Sequence, residues 1–255
     1  MSQVEQMSQL LRQAVYRGDA VQVAQLADQR LRLSPEDGRL HEEIGLAFFQ
    51  LNQSSRAQEL LELAQLMVPL SPAAEQALAE CHLESDDADL AVGLLENIST
   101  RKSVATQTLL RVANLLEQLG RFREAWLTCR RAVREAPDEA QAWFDLSFYM
   151  GRMRFPFSKI ELVAQRAIDL EPNNVGFRVS LASVLWRQER QADAYQLVRR
   201  FGMAELEQIC CSSGIERLRS VFESADDWRG VCLCNEQLVL RSLHGNSECC
   251  DASDI

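Results

Sequence analysis

The chain has 255 residues, of which 47% are hydrophobic and 25% charged, an ordinary balance for a globular protein with one large domain or two small ones. A formal charge of −10 and an isoelectric point of about 4.9 argue against a nucleic-acid backbone or an anionic membrane surface as partner. Only Lys102 and Lys159 among the 27 basic residues are lysine, so the available cations are arginine forks suited to carboxylates.

From the N-terminus, MSQVEQMSQLLRQAV carries an acid at Glu5 and no basic run ahead of an apolar stretch. No run of about 18 apolar residues occurs in the chain. The expectation is a cytoplasmic protein with no membrane span, and its eight cysteines then read as reduced thiols rather than a disulfide framework.

A repeat organises most of the chain. Pro35, Pro69 and Pro137 are separated by 34 and 68 residues, Ser103 holds the place between the last two, and Pro172 comes after a further 35. Ala57, Ala91 and Ala125 are spaced by 34 and 34, and Ala194 follows after 69. Each period carries two apolar stripes at helical spacing. In residues 38–71 the first is Ile44, Phe48 and Leu51, NQSS breaks it, and Ala57, Leu60, Leu61, Ala64 and Met67 form the second before Pro69 stops the helix. Small side chains recur where two helices cross closely. One hairpin of this size cannot bury its own apolar face, so neighbours must stack.

The pattern Trp-x2-Leu-Gly-x2-Tyr followed by Ala-x3-Phe-x2-Ala-x4-Pro resembles the tetratricopeptide repeat. Gly45, Phe48, Ala57, Ala64 and Pro69 match it in the second unit, Gly120, Phe122, Ala125, Ala132 and Pro137 in the fourth, and Trp143, Leu146, Ala167 and Pro172 in the fifth. Residues 4–202 divide into six such repeats. The resemblance implies an all-α fold, a right-handed α-solenoid of stacked antiparallel helix pairs. Within the fifth unit, Pro156 stands where the turn or second helix should begin. Residues 203–243 hold a degenerate helical hairpin that reads as a C-terminal cap, and residues 244–255, HGNSECCDASDI, read as a disordered acidic tail with two cysteines.

Catalytic chemistry finds little footing. His41, His82 and His244 sit in no recognisable motif, and phosphate-binding glycine loops, GxSxG and HExxH are missing from the sequence. Asp86, Asp87, Asp226 and Asp227 fall in turns, where carboxylates serve helix N-termini. A non-enzymatic protein without a cofactor is expected. The alternative is a metal-binding or redox-sensing protein using Cys210, Cys211, Cys232, Cys234, Cys249 and Cys250. Their spacing, two adjacent pairs and one C-x-C, is unlike that of zinc knuckles, and free cysteine otherwise packs as a small hydrophobe.

The resemblance further implies a concave groove lined by the first helix of each pair, and a peptide or protein segment as its ligand. Placed on the repeat, the groove residues are Arg12, Tyr16, Arg39, Phe49, Asn114, Phe144, Phe148, Arg152, Trp186 and Arg187. Phe144, Phe148 and Trp186 beside Arg152 and Arg187 combine the residue types that dominate binding hot spots, although both Phe equally suit filling the space between helices. Chaperone-binding relatives of this family grip a C-terminal carboxylate with Lys, Asn and Arg; the matching positions read Ser8, Arg12, Glu43, Ala73 and Ala77, which argues against that ligand. Solenoid ends expose apolar helix faces, which also raises homo-oligomerisation.

Overall fold

The computed structural model describes residues 3–209 and 211–243, and these form 15 α-helices and no strand. The chain divides into two compact units, residues 1–128 and 129–255. The first contains α1 (Gln3–Tyr16), α2 (Ala20–Leu33), α3 (Gly38–Gln50), α4 (Ser54–Met67), α5 (Pro72–Glu84), α6 (Ala88–Thr100), α7 (Thr106–Gln118) and the first half of α8 (Phe122–Glu135). The second holds the rest of α8, then α9 (Ala140–Arg152), α10 (Phe157–Leu170), α11 (Val175–Arg187), α12 (Gln191–Val198), the short α13 (Met203–Glu207), α14 (Ser212–Ser224) and α15 (Trp228–Leu243). Cys210 and the segment from His244, with the disorder expected of it, lie outside the described residues.

Within each unit the helices pair in chain order, α1 with α2, α3 with α4, α5 with α6, then α9 with α10, α11 with α12 and α14 with α15. Two columns of small or β-branched side chains make the close crossings. Val23, Ala57, Ala91, Ala125, Ile160, Ala194 and Val231 are all buried on the second helices. On the first helices the corresponding series is Gly45, Ala79, Ala113, Ser147 and Ala182, also buried. Leu61, Leu78, Leu95, Leu109, Leu116 and Leu181 fill the layer between them.

The hairpin turns share one geometry. A residue with positive φ follows each first helix: Gly18, Asn52, Asp86, Gly120, Arg154, Glu189 and Asp226. The next amide N–H then bonds to the carbonyl five residues back, as in Gln53 to Phe48 at 3.0 Å, Arg121 to Leu116 at 2.8 Å and Arg190 to Leu185 at 3.0 Å. This is the Schellman stop, whose left-handed residue is ordinarily glycine because a Cβ there is strained. Only two of these seven turns have glycine.

Pro156 does not disrupt the fifth hairpin. Second helices begin two residues after the left-handed residue at Ser54, Ala88, Phe122 and Gln191, but three after it at Phe157. The surplus residue seen as a 35-residue spacing is thus absorbed in the turn Arg154–Phe155–Pro156. Pro156 stands just ahead of α10, where its missing N–H and fixed φ of −55° cost nothing. Between α12 and α14 the insertion is α13, which lengthens the interval between first-helix starts from 35 residues, Val175 less Ala140, to 37, Ser212 less Val175.

Candidate functional site, the first-helix face

The first helices of the N-terminal unit lie side by side, α1 against α3, α3 against α5 and α5 against α7. Several charged side chains on these helices are held by partners within the unit. Arg39 donates to the Glu42 carboxylate at 2.6 Å, and the Ser71 N–H donates to the other Glu42 oxygen at 3.0 Å. Burial pushes the Glu42 carboxyl up, but the Ser71 and Arg39 donors outweigh it and hold it below the usual carboxylate value. Glu75, also buried, takes the Asn97 amide at 2.8 Å and has Arg101 at 3.2 Å, yet desolvation wins and raises its carboxyl. Arg111 on α7 forks onto Glu80 of α5, donating from Nε to Oε1 at 3.0 Å, while Gln76 donates to the same oxygen at 2.9 Å.

The expected groove residues of this unit belong to α1, α3 and α7. Arg12 donates to the Ser8 carbonyl at 3.3 Å and, with Gln9, Gln13, Tyr16 and Arg17, borders one shallow depression along α1. Tyr16 is 93% exposed. Arg39 is occupied by Glu42. Phe49 is half-buried and packs on the core of its unit, and Asn114 accepts the Gln118 amide at 2.9 Å.

In the second unit α11 lies against both α10 and α14. Phe144 stacks on the buried Phe177 with ring centroids 4.8 Å apart, so much of its ring belongs to the core. Phe148 meets Tyr149 edge to face at 5.5 Å. Arg152 is half-buried at the end of α9. Trp186 keeps 40% of its surface exposed at the end of α11, and Arg187 beside it is exposed. Val179, which the repeat register also places toward the groove, is buried in the core. Asp145 of α9 takes the Gln141 amide at 2.6 Å, and burial pushes its carboxyl up to about 6.

Three residues of this face are missed by the sequence reading. Asp145 lies one position from the chosen Phe144 and Arg111 one helical turn before the chosen Asn114, and their charge is the available signal. Arg217 on α14 is hidden by the α13 insertion, which breaks the 34-residue register.

Four of the five described cysteines pack as small apolar side chains. Burial raises the thiols of Cys81 to about 11 and Cys234 to about 12, and that of Cys129, which donates to the Ala142 carbonyl at 3.2 Å, still further. Cys232 is exposed while Cys234 is buried, so the C-x-C pair presents no common face. Cys211 is buried beside Ser213, with sulfur and hydroxyl 3.3 Å apart. Cys210, Cys249 and Cys250 lie outside the described residues, as does His244. Among the described residues no three His, Cys, Asp or Glu side chains are grouped to hold a metal ion. His41 is buried with Nδ1 2.9 Å from the Asp37 carbonyl, and His82 is buried 3.4 Å from the Gln58 amide, both packing positions. Asp227 caps α15 through Gly230 at 3.1 Å and accepts the Tyr195 hydroxyl at 3.1 Å.

A chain of helical hairpins with this period, these small-residue columns and a layer of adjacent first helices is a helical-repeat scaffold. A tetratricopeptide repeat model matches residues 106–148, and solved structures of tetratricopeptide-repeat proteins share the fold. PilF of Pseudomonas aeruginosa is 17% identical, with a TM-score of 0.63 over 82% of this chain and 93% of that one. The C-terminal part of a TPR repeat-containing protein from Cytophaga hutchinsonii is 10% identical, with a TM-score of 0.66 over 91% and 94%. YrrB, a TPR protein with an unusual peptide-binding site, is 12% identical, with a TM-score of 0.58 over 71% and 96%. At these identities the likeness is one of fold. No curated protein matches the sequence.

Proposed function

We propose that this protein is a non-enzymatic interaction scaffold that holds a peptide or protein segment on its first-helix face, chiefly at Trp186 and Arg187. The observation that carries the reading is the contrast between the two units. Arg39 and Arg111 on first helices of the N-terminal unit are spent on Glu42 and Glu80, whereas Trp186 and Arg187 stand exposed together. An exposed Trp next to an Arg is the composition of a binding hot spot. The peptide-binding site of YrrB, in a related fold, supports a segment as the ligand.

The charge of −10 favours a protein partner over nucleic acid, and the free thiols of the described cysteines suit a reducing cytoplasmic setting. No described helix is long and apolar enough to cross a membrane. Self-association through the stack ends rests on the exposed Trp228, Val239 and Leu243 of α15. Light scattering tests it, and a mass fixed at 28.9 kDa as concentration rises removes it.

The test of the main reading is affinity capture from native lysate with wild type and the Trp186→Ala/Arg187→Ala variant. Prey lost in a variant that melts like wild type supports the reading. Identical prey, or an equal loss of helicity in the variant, makes the pair structural and overturns it.

A further inference from the structure

Second helices spend one face on the first helix that follows them: α4 packs on α5, α6 on α7, α10 on α11 and α12 on α14. Their fifth and eighth residues lie on that face. At the fifth, Gln58 of α4 comes within 3.4 Å of His82 of α5, and Glu161 of α10 accepts the amide of Gln188, at the end of α11, at 3.1 Å. At the eighth, Leu61, Leu95, Ala164 and Val198 are all buried, and Leu61 clusters with Ala74, Ala77 and Leu78 of α5. In α15 these two places are Cys232 and Asn235, both exposed, and no first helix follows among the described residues. Trp228, Val239 and Leu243 stand four residues from Cys232, Asn235 and Val239 respectively, which puts them on the same side of the helix. They keep 65%, 57% and 75% of their surface exposed. The result is a stacking face with apolar ends and nothing stacked on it.

The face that first helices offer to a preceding second helix has another character in α1. Two repeat periods before Ala74, Ala77, Leu78 and Cys81, α1 carries Gln6, Gln9, Leu10 and Gln13. Stacking copies head to tail, α15 onto α1, would take three glutamine amides out of water, which is costly unless each finds a partner. Joining two α15 faces buries mainly carbon.

We propose that α15 pairs with α15 of a second copy of this chain, antiparallel about a two-fold axis that passes between Cys232 and Asn235. The proposal rests on the self-association reading above and specifies its geometry. The strip is complementary to its own reverse: the axis sets Trp228 against Val239 of the second copy and Arg229 beside its Glu236. Arg229 and Glu236 stand two turns apart on one flank of α15, about 10 Å along the axis, too far to pair within one helix. Reversing the second helix brings the opposite charges together, once on each side of the axis. An isologous contact of this kind closes at two copies. A single helix strip offers less than the about 800 Å² per partner of a standard interface, so the dimer is a weak one, with a Kd of about 10–100 μM.

The test uses the full chain under reducing conditions, with mass read by sedimentation equilibrium up to about 300 μM. Wild type is expected to approach twice 28.9 kDa and to stop there. Arg229→Glu and Glu236→Arg should each weaken the dimer about tenfold, and an equimolar mixture of the two variants should regain wild-type affinity, because each then meets its opposite. Both side chains are exposed, so the variants should melt like wild type. Rescue on mixing requires that the partner be a second copy held in this register. A dimer indifferent to both substitutions, or a mixture no tighter than its components, overturns the pairing and leaves self-association standing. Masses that grow past two copies also overturn it, in favour of head-to-tail stacking. A mass fixed at 28.9 kDa throughout removes the pairing and the self-association reading together.

Discussion

The guanidinium of Arg111 clasps the carboxylate of Glu80 across 31 residues of chain, tying α7 to α5 on the inner layer of the N-terminal unit. Gln76 completes the set from one turn earlier on α5. Because Arg111 is about half exposed, the pair is worth only about 0.5–1 kcal/mol. Arg111→Ala should lower denaturant stability by that amount, and a double-mutant cycle with Glu80→Gln should return most of it as coupling. A coupling of zero would show the fork to be ornamental.

The five hairpin turns whose left-handed residue is not glycine store strain that glycine removes. A left-handed L-residue costs about 1–2 kcal/mol, while added freedom in the unfolded chain returns about 0.4–1 kcal/mol of that. Arg154→Gly and Glu189→Gly should therefore each raise stability by about 0.5–1 kcal/mol, read from the urea midpoint, and the reverse change Gly120→Ala should destabilise.

Gly45 and Gly93 are both helical but should respond oppositely to alanine. A Cβ on Gly45 would lie 2.8 Å from Cγ and 2.9 Å from Cδ2 of the fully buried Leu61. Gly45→Ala should cost about 1–3 kcal/mol by overpacking. Nothing lies within 4 Å of a Cβ on Gly93, so Gly93→Ala should gain about 0.5–1 kcal/mol from helix propensity. Thermal melts of the two variants moving in the same direction would contradict this packing.

Asp145 makes stability depend on pH in an uncommon sense. Its folded-state value, raised from 3.8 to about 6, means that the folded chain holds the proton more tightly than the unfolded one. This contribution falls as pH rises from about 4 to about 6, and the full penalty persists above that window. Asp145→Asn keeps an acceptor for the Gln141 amide and should stabilise the protein by about 1–3 kcal/mol at about pH 7, with little effect at about pH 3.5. Equal shifts at both pH values would place the effect elsewhere.

The stacked hairpins are legible in the sequence because proline stops and close-crossing alanines recur at fixed intervals, and packing demands both. The turns are half legible: Gly18 and Gly120 advertise the left-handed position, whereas Arg154 and Glu189 give no sign of it, since surrounding hydrogen bonds impose it on side chains that would otherwise avoid it. Pro156 looks like an interruption only because the sequence does not say which side of the turn receives the extra residue. Among the groove residues, register places a side chain on a helix but not its rotamer or neighbour. Phe144 turns to stack on Phe177, and Arg39 is consumed by Glu42, one helical turn further along α3. Arg217 can be reached only once α13 is seen to shift the count.

The surplus residue between Arg154 and Phe157 also marks a place for engineering. A connection that already carries more chain than its siblings, at the surface and between two intact helices, tolerates further length where the tighter two-residue connections would shear their helices apart. A reporter peptide or fluorophore grafted after Pro156 would ride on the protein at the head of α10, giving a handle for watching the scaffold at work.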